Sequence, residues 1–352
     1  MKEYLLKEIA NVKNGYAFDS SKYSDKGIPI IRIADIKDNI DLSKCVCIDE
    51  EINKEFLIKK GSLLIALSGA TTGKMAVFSD NKIAYLNQRI CSIYTKNEDI
   101  SQEFLIYFLK SIQKKIIVNS YGGAQPNISS RWIENIKIKA PNIEIQKKIS
   151  KKLELLENNI NSRKSQLVFL KELTKSLFTT MFGDIKTNDK KWEIYYWKDI
   201  LNIKNGKNQK QVENIEGKYP IYGSGGIIGR SNAYICNENS IIIGRKGNIN
   251  KPILVKEKFW NVDTAFGLEV KSEKMSYRYL YYFCLFYDFE IHNKAVTIPS
   301  LVKSDLEKIV LPVPPIELQN KFAERIENIE KLKFDFKDFL FFKSSPYKRE
   351  VA

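Results

Sequence analysis

The feature that most limits what this chain can fold into is the stretch Glu144–Phe182, bounded by Pro141 and Gly183. Its apolar residues fall at Ile149, Leu153, Leu156, Ile160, Leu167, Leu170, Leu177 and Met181, in alternating steps of three and four interrupted at Arg163 and Thr174. That spacing is the heptad seam of a helix that packs on another helix. At 1.5 Å per residue, roughly 39 residues make a rod of about 58 Å. Lys147, Lys148, Lys151 and Lys152 crowd its first turns, which is too much charge for a membrane span. A helix of this length in mid-chain is a spacer.

What it spaces is a repeat. The segment LKEIANVKNG at 6–15 returns as WKDILNIKNG at 197–206. Buried-looking strands ending in polar, glycine-bearing loops lie at 61–69 and 239–247, each loop reaching a lysine, Lys74 or Lys251. Aromatic helices follow at 104–110 and 279–285. Pro126-Asn-Ile returns as Pro299-Ser-Leu, and IKIKAPNIEIQ at 136–146 returns as IVLPVPPIELQ at 309–319, with a constant offset (314 − 141 = 173; 319 − 146 = 173). Each copy reads as a strand, a proline stop and a helix start with glutamate in its first turn, where the helix dipole favours an anion. Ordered blocks of this kind define an internal tandem duplication. A second seam helix, about 316–342, carries Phe322, Ile326, Ile329, Phe336 and Leu340, is interrupted by Lys333, and stops at Pro346. Antiparallel pairing of the two helices is the economical way to bury both seams, with the repeated units at opposite ends of the rod.

With 352 residues, 43% hydrophobic and 28% charged, the chain has length for about two globular domains. The net charge of +15 favours a polyanionic partner, most commonly nucleic acid. The five cysteines include no CxxC pair and there is one histidine, His292, so free thiols in a reducing cytoplasm are expected and a metal site is not. No apolar run approaches membrane length, and the first residues lack the apolar core of a signal peptide. The catalytic sets of nucleic-acid enzymes are missing. Pro314-Pro315 lacks the flanking residues of an amino-methyltransferase tetrapeptide, no P-loop occurs, and Glu216-Gly-Lys218 is too short a match for a metal nuclease.

These residues carry a resemblance. Two half-chains with an Asn-Gly start, a Pro-x-Ile/Leu turn and a Pro-(Asn/Pro)-Ile-Glu-x-Gln helix opening resemble the specificity subunit of type I restriction-modification systems. The blocks at 29–36 and 122–128 are similar to that family's first recognition domain, and those at 219–229 and 244–249 to its second. The resemblance implies an α/β (α+β) chain with target-recognition domains at 1–142 and 184–314, a central helix at 143–183, a distal helix at 315–343 and a tail at 344–352. It implies a non-catalytic subunit whose domains each read half of a split double-stranded DNA target, and whose coiled coil sets the gap and docks two methyltransferase subunits. Two restriction subunits can join. S-adenosylmethionine would sit on the methyltransferase, and ATP and magnesium on the restriction subunits. The alternatives from the residues alone are a nuclease or methyltransferase with an unrecognised active site and a coiled-coil scaffold with two protein-binding heads.

Reading sequence requires side chains that reach base edges, and glycines that let backbone approach phosphate. The first domain offers Arg32, Ser68, Thr71, Thr72, Lys74, Gln88, Arg89 and Gln125. The second offers Tyr222, Ser224, Arg230, Arg245, Lys246, Asn248, Lys251 and Thr297. Arg and Gln suit guanine and adenine, whereas Lys, Ser and Thr suit phosphates. For the coiled coil and its partners the candidates are Ile149, Leu153, Leu156, Ile160, Leu167, Leu170, Phe322, Ile326, Ile329 and Phe336, with Leu153, Leu156, Ile326 and Ile329 expected in the core.

Overall fold

The computed structural model describes residues 1–37, 39–119, 127–295 and 297–344, with residue 335 and residues 337–344 as backbone. The chain divides into two compact units, Met1–Asn159 and Ile160–Ala352. In the first, an antiparallel sheet runs in the order Ala10–Asn14, Ile90–Thr95, Leu63–Ala66, Met75–Val77. A smaller sheet orders Cys47–Ile48, Ile28–Ile31 and Tyr85–Leu86, and Lys2–Leu5 pairs with Lys137–Ala140. The second unit repeats every piece in the same order. Its large sheet is Leu201–Asn205, Ala265–Val270, Ser240–Gly244, Ile253–Val255, its smaller one Gly226–Ser231, Tyr219–Gly223, Trp260–Asn261, and Glu193–Tyr196 pairs with Val310–Val313. In each smaller sheet one neighbouring pair is parallel.

The repeated apolar strands have two covered faces, which is why they read as unbroken runs. Side chains alternate across a strand. Leu63 and Ile65 therefore join the cluster containing Leu105 and Leu109 of the helix Gln102–Ser111, while Leu64 faces Leu86 and Phe78. Ile241 and Ile243 likewise face Tyr279 and Phe283 of the helix Tyr277–Phe286, while Ile242 faces Phe259. The Asn-Gly repeats have a steric cause. A Cβ on Gly15 would lie 1.9 Å from the Leu86 carbonyl oxygen, and one on Gly206 would lie 1.8 Å from that of Val262. Only glycine allows the chain to pass there.

The central helix spans Ile143–Phe182 and the distal helix Ile316–Ser344. Each begins with a glutamine that is completely buried, Gln146 or Gln319. Gln146 Oε1 accepts from Ser101 N at 3.0 Å, and its Nε2 donates to the carbonyls of Asp99 and Pro141 at 2.7 and 2.9 Å. Gln319 repeats this with Ser276 N at 2.8 Å and the carbonyls of Lys274 and Pro314 at 2.9 and 2.7 Å. Ser101 and Ser276 are the N-caps of the two aromatic helices. One amide thus ties the start of each long helix to the start of the helix it packs on. A second tie recurs further along: Tyr107 donates to Glu157 at 3.0 Å, and Tyr282 to Glu330 at 2.7 Å. The central helix is no separate body, since its residues through Asn159 belong to the first unit and the remainder to the second.

Within the second unit the two long helices run antiparallel. Phe178 and Phe182 pack on Phe322, Arg325 reaches Met181, Lys333 donates to Thr174 Oγ1 at 2.6 Å, and Arg163 lies over the Phe336 ring at 4.5 Å. The polar interruptions of the two seams therefore meet one another or stack on an aromatic. Ile326 and Ile329 are buried, as the spacing predicts, and Ile160, Leu167 and Leu170 are half-buried. Leu153 and Leu156 are not core: they are 37% and 44% exposed, as is Ile149 at 37%. A heptad seam marks a surface suited to a partner helix, but it does not say that the same chain supplies the cover.

Removing a buried amide orphans three backbone groups. Gln319→Ala should destabilise the second unit by about 2–3 kcal/mol, and Gln146→Ala the first by a similar amount. Hydrogen exchange on the full chain should show the loss of protection confined to the unit that carries the substitution.

Candidate nucleic-acid interface

Both large sheets end in a glycine-bearing loop held by the same backbone contacts. In the first unit Leu67 N donates to the Arg89 carbonyl, Ile128 N donates to the Leu67 carbonyl, and Ser68 bridges Asn127. In the second, Arg245 N donates to the Thr264 carbonyl, Leu301 N to the Arg245 carbonyl, and Lys246 bridges Ser300. This explains the repeated Pro-x-Ile/Leu motif: its last residue pins the loop to the sheet while the preceding one pairs with the loop's exposed edge.

In the first unit this geometry gathers Ser68, Thr71, Thr72, Gln88 and Arg89 along one edge. The Thr71 hydroxyl donates to the Ile33 carbonyl at 3.4 Å, which brings the segment of Arg32 alongside, and Gln88 N donates to the Tyr16 carbonyl at 2.9 Å. The Thr72 hydroxyl closes its own turn on the Gly69 carbonyl at 2.6 Å. Lys74, Gln88 and Arg89 are exposed, and among the described residues the side chains of Lys74 and Arg89 make no hydrogen bond or ion pair. Arg32 differs: Asp35 accepts from its backbone at 2.9 Å and pairs with its guanidinium at 3.5 Å, so its charge is already matched. Gln125 lies outside the described residues.

In the second unit the turn at Ser224–Gly225 sits against the loop at 247–248. A Cβ on Gly225 would be 3.6 Å from Asn248 Nδ2, and one on Gly247 would be 3.8 Å from Ser224 Oγ. Gly247 N donates to the Pro299 carbonyl at 3.0 Å, which brings in the segment of Thr297. Arg245, Lys246, Asn248, Lys251 and Thr297 are exposed. The Arg245 guanidinium reaches the Asp263 carbonyl at 3.4 Å and lies over the Phe266 ring, 6.0 Å from its centroid.

Two candidates are reassigned. Arg230 Nε donates to the Gly217 carbonyl at 2.6 Å and its NH2 to that of Lys218 at 2.8 Å, so the guanidinium braces the hairpin base. Tyr222 packs edge-on against Phe259 with ring centroids 5.5 Å apart, and burial, together with Glu257, pushes its hydroxyl pKa up. Spacing does not separate these from outward-facing residues, because a loop's carbonyls are invisible in a side-chain pattern. Conversely, Ile227 and Ile228 stand exposed beside the loops, and their apolar side chains carry no base-reading signal in the sequence. His292 is structural: Tyr287 Oη lies 2.8 Å from its Nε2 and the two rings stack. The five cysteines are buried, and desolvation pushes the thiols of Cys91 and Cys236 up to about 12. Among the described residues no three His, Cys, Asp or Glu side chains are placed to hold a metal, and no helix is long and apolar enough to cross a membrane.

The geometry is thus two copies of one α+β scaffold, each presenting an exposed glycine-bearing loop with cations. The family described as type I restriction modification DNA specificity domain matches residues 1–169 and again 189–338. The chain belongs to that family and carries its domain twice. It is similar to the type I restriction enzyme MjaVIII specificity subunit of Methanocaldococcus jannaschii, with 25% identity over 320 residues, covering 80% of this chain and 75% of that one. It also resembles the EcoBI specificity subunit of Escherichia coli, at 26% identity over 169 residues, or 47% of this chain and 34% of that one. In fold it matches the crystal structure of the type I restriction-modification S subunit from M. genitalium, with a TM-score of 0.66 at 17% identity, over 96% of this chain and 91% of that one.

The reassignment of Arg230 can be checked directly. Arg230→Ala should lower the unfolding midpoint, reflecting a loss of about 1–2 kcal/mol of hydrogen bonding, and leave the recognised bases unchanged. Altered base preference at an unchanged midpoint would return Arg230 to the readers.

Proposed function

We propose that this chain is the DNA-recognition subunit of a type I restriction-modification complex in the cytoplasm, each repeated unit reading one half of a bipartite target. The observation that carries the reading is the duplicated loop, pinned identically in both units and bearing different side chains in each: Ser68, Thr71 and Lys74 in one, with Gln88 and Arg89 on the turn it is pinned to, and Arg245, Lys246 and Asn248 in the other. An identical scaffold with divergent loops is what two different half-sites require. The first-unit Gln and Arg are suited to adenine and guanine edges, and the exposed lysines to phosphates. The helix of 40 residues, about 60 Å at 1.5 Å per residue, sets the number of unread pairs between the half-sites.

Methyl transfer then belongs to a partner. Two methyltransferase subunits carrying S-adenosylmethionine dock on the long helices, for which the exposed Ile149, Leu153 and Leu156 provide apolar surface. Restriction subunits with ATP and magnesium can join the same assembly.

Co-expression with the neighbouring methyltransferase, followed by genome-wide mapping of methylated adenines, tests this. The expected result is a split motif, two short defined parts around a constant run of any base, lost when this chain is deleted. Methylation unchanged by the deletion would remove the recognition role and favour a scaffold with protein-binding heads.

A further inference from the structure

The surface beside the second unit's loops is not wholly polar. Ile227 and Ile228 are 62% and 55% exposed on the strand Gly226–Ser231, which is an outer strand of its sheet. The strand leaves the turn that packs on Gly247 and Asn248. Single exposed aliphatics need no explanation, but an adjacent pair beside an open sheet edge is an aggregation hazard unless a partner covers it. Among the described residues the matching outer strand of the first unit, Cys47–Ile48, is buried. The scaffold is duplicated and this apolar tip is not, so the tip belongs to what distinguishes the two units.

The neighbouring charges indicate the partner. Arg245, Lys246 and Lys251 are exposed on the adjoining loop, and residues 244–251 contain no acidic side chain. Glu213 lies against Gly229 of the same hairpin, so the surface is not purely basic, but an apolar pair beside three exposed cations suits duplex DNA, whose phosphates take the cations and whose major groove offers one apolar feature, the thymine 5-methyl group. A two-stranded β-ribbon fits that groove.

Resting on the DNA-recognition reading above, we propose that the hairpin Tyr219–Ser231 enters the major groove, where Ile227 and Ile228 read thymine through its methyl group. Arg245 and Asn248 on the adjoining loop supply the hydrogen-bonding part of the same half-site. The pairing of the hairpin slips here, with Ile221 opposite Gly229 and Tyr222 opposite Ile227, so Ile228 stands unpaired at a bulge, where a strand re-aims its side chains.

The test uses the assembled complex and duplexes carrying its methylated motif, with each thymine in turn replaced by deoxyuridine, which removes the methyl group and keeps the pairing. Wild-type complex should bind about fourfold more weakly for each contacted methyl lost, from about 0.8 kcal/mol per buried carbon at 1.4 kcal/mol per tenfold. The effect should be confined to one half-site. Ile227→Ser/Ile228→Ser should bind thymine and deoxyuridine duplexes equally at those positions, while Ile227→Val/Ile228→Val should keep the preference. Indifference of the wild type to deoxyuridine, or a half-site without an A·T pair, overturns the proposal. So does a serine variant that assembles and keeps the thymine preference. A complex that discriminates among no duplexes overturns the recognition reading itself.

Discussion

A glutamine amide buried at the first turn of a helix has to place both its oxygen and its nitrogen, because a buried polar atom without a partner is costly. Gln146 and Gln319 do so by joining three pieces of chain: the strand end before the long helix, the loop before the aromatic helix, and the N-cap of that helix. The direction in which each long helix leaves the strand before it depends on that junction. The aromatic helix in turn covers one face of the large sheet, and the sheet's far end presents the loop at 67–74 or 245–251. The same three-way tie appears in both units, and the Tyr–Glu tie further along repeats with it, so the orientation of helix relative to loop within a unit is set locally.

Much of this is legible in the sequence. The duplication shows in ordered blocks at a constant offset, and the structure gives each block a physical reason to recur. Gly15 and Gly206 allow close passage of the chain, Ile128 and Leu301 pin the loop, and Gln146 and Gln319 build the helix junction. The two long helices show in their heptads. What the sequence does not reveal is which outward-looking residues are already engaged. Arg230, Arg32 and Tyr222 carry the chemistry of base readers, yet two carbonyls, a carboxylate and an aromatic ring respectively hold them. Such partners are decided by turns of the backbone, and composition and spacing do not encode turns finely enough. Ile227 and Ile228 escape in the opposite sense, since apolar residues on a strand read as core until the edge of the sheet is known.

The seam of the central helix holds a further lesson. Its polar interruptions look like defects in a heptad pattern, but Thr174 meets Lys333 and Arg163 meets the Phe336 ring, so each interruption on one helix has its answer on the other. A polar pair inside an otherwise apolar seam disfavours shifted registers, in which a charge would face only aliphatic neighbours. The exposed Ile149, Leu153 and Leu156 continue the same seam in the first unit, and their apolar stripe is lined by Lys148 and Lys152.

The central claim is that two copies of one scaffold read two independent half-sites. The measurement that tests it most directly compares the methylated motif made by the wild-type complex with those made by two variants, Gln88→Ala/Arg89→Ala and Arg245→Ala/Asn248→Ala. The account predicts that each variant relaxes or changes one half of the motif, a different half in each case, with the other half and the spacer unchanged. Changes in both halves from either variant, or in neither, would contradict it.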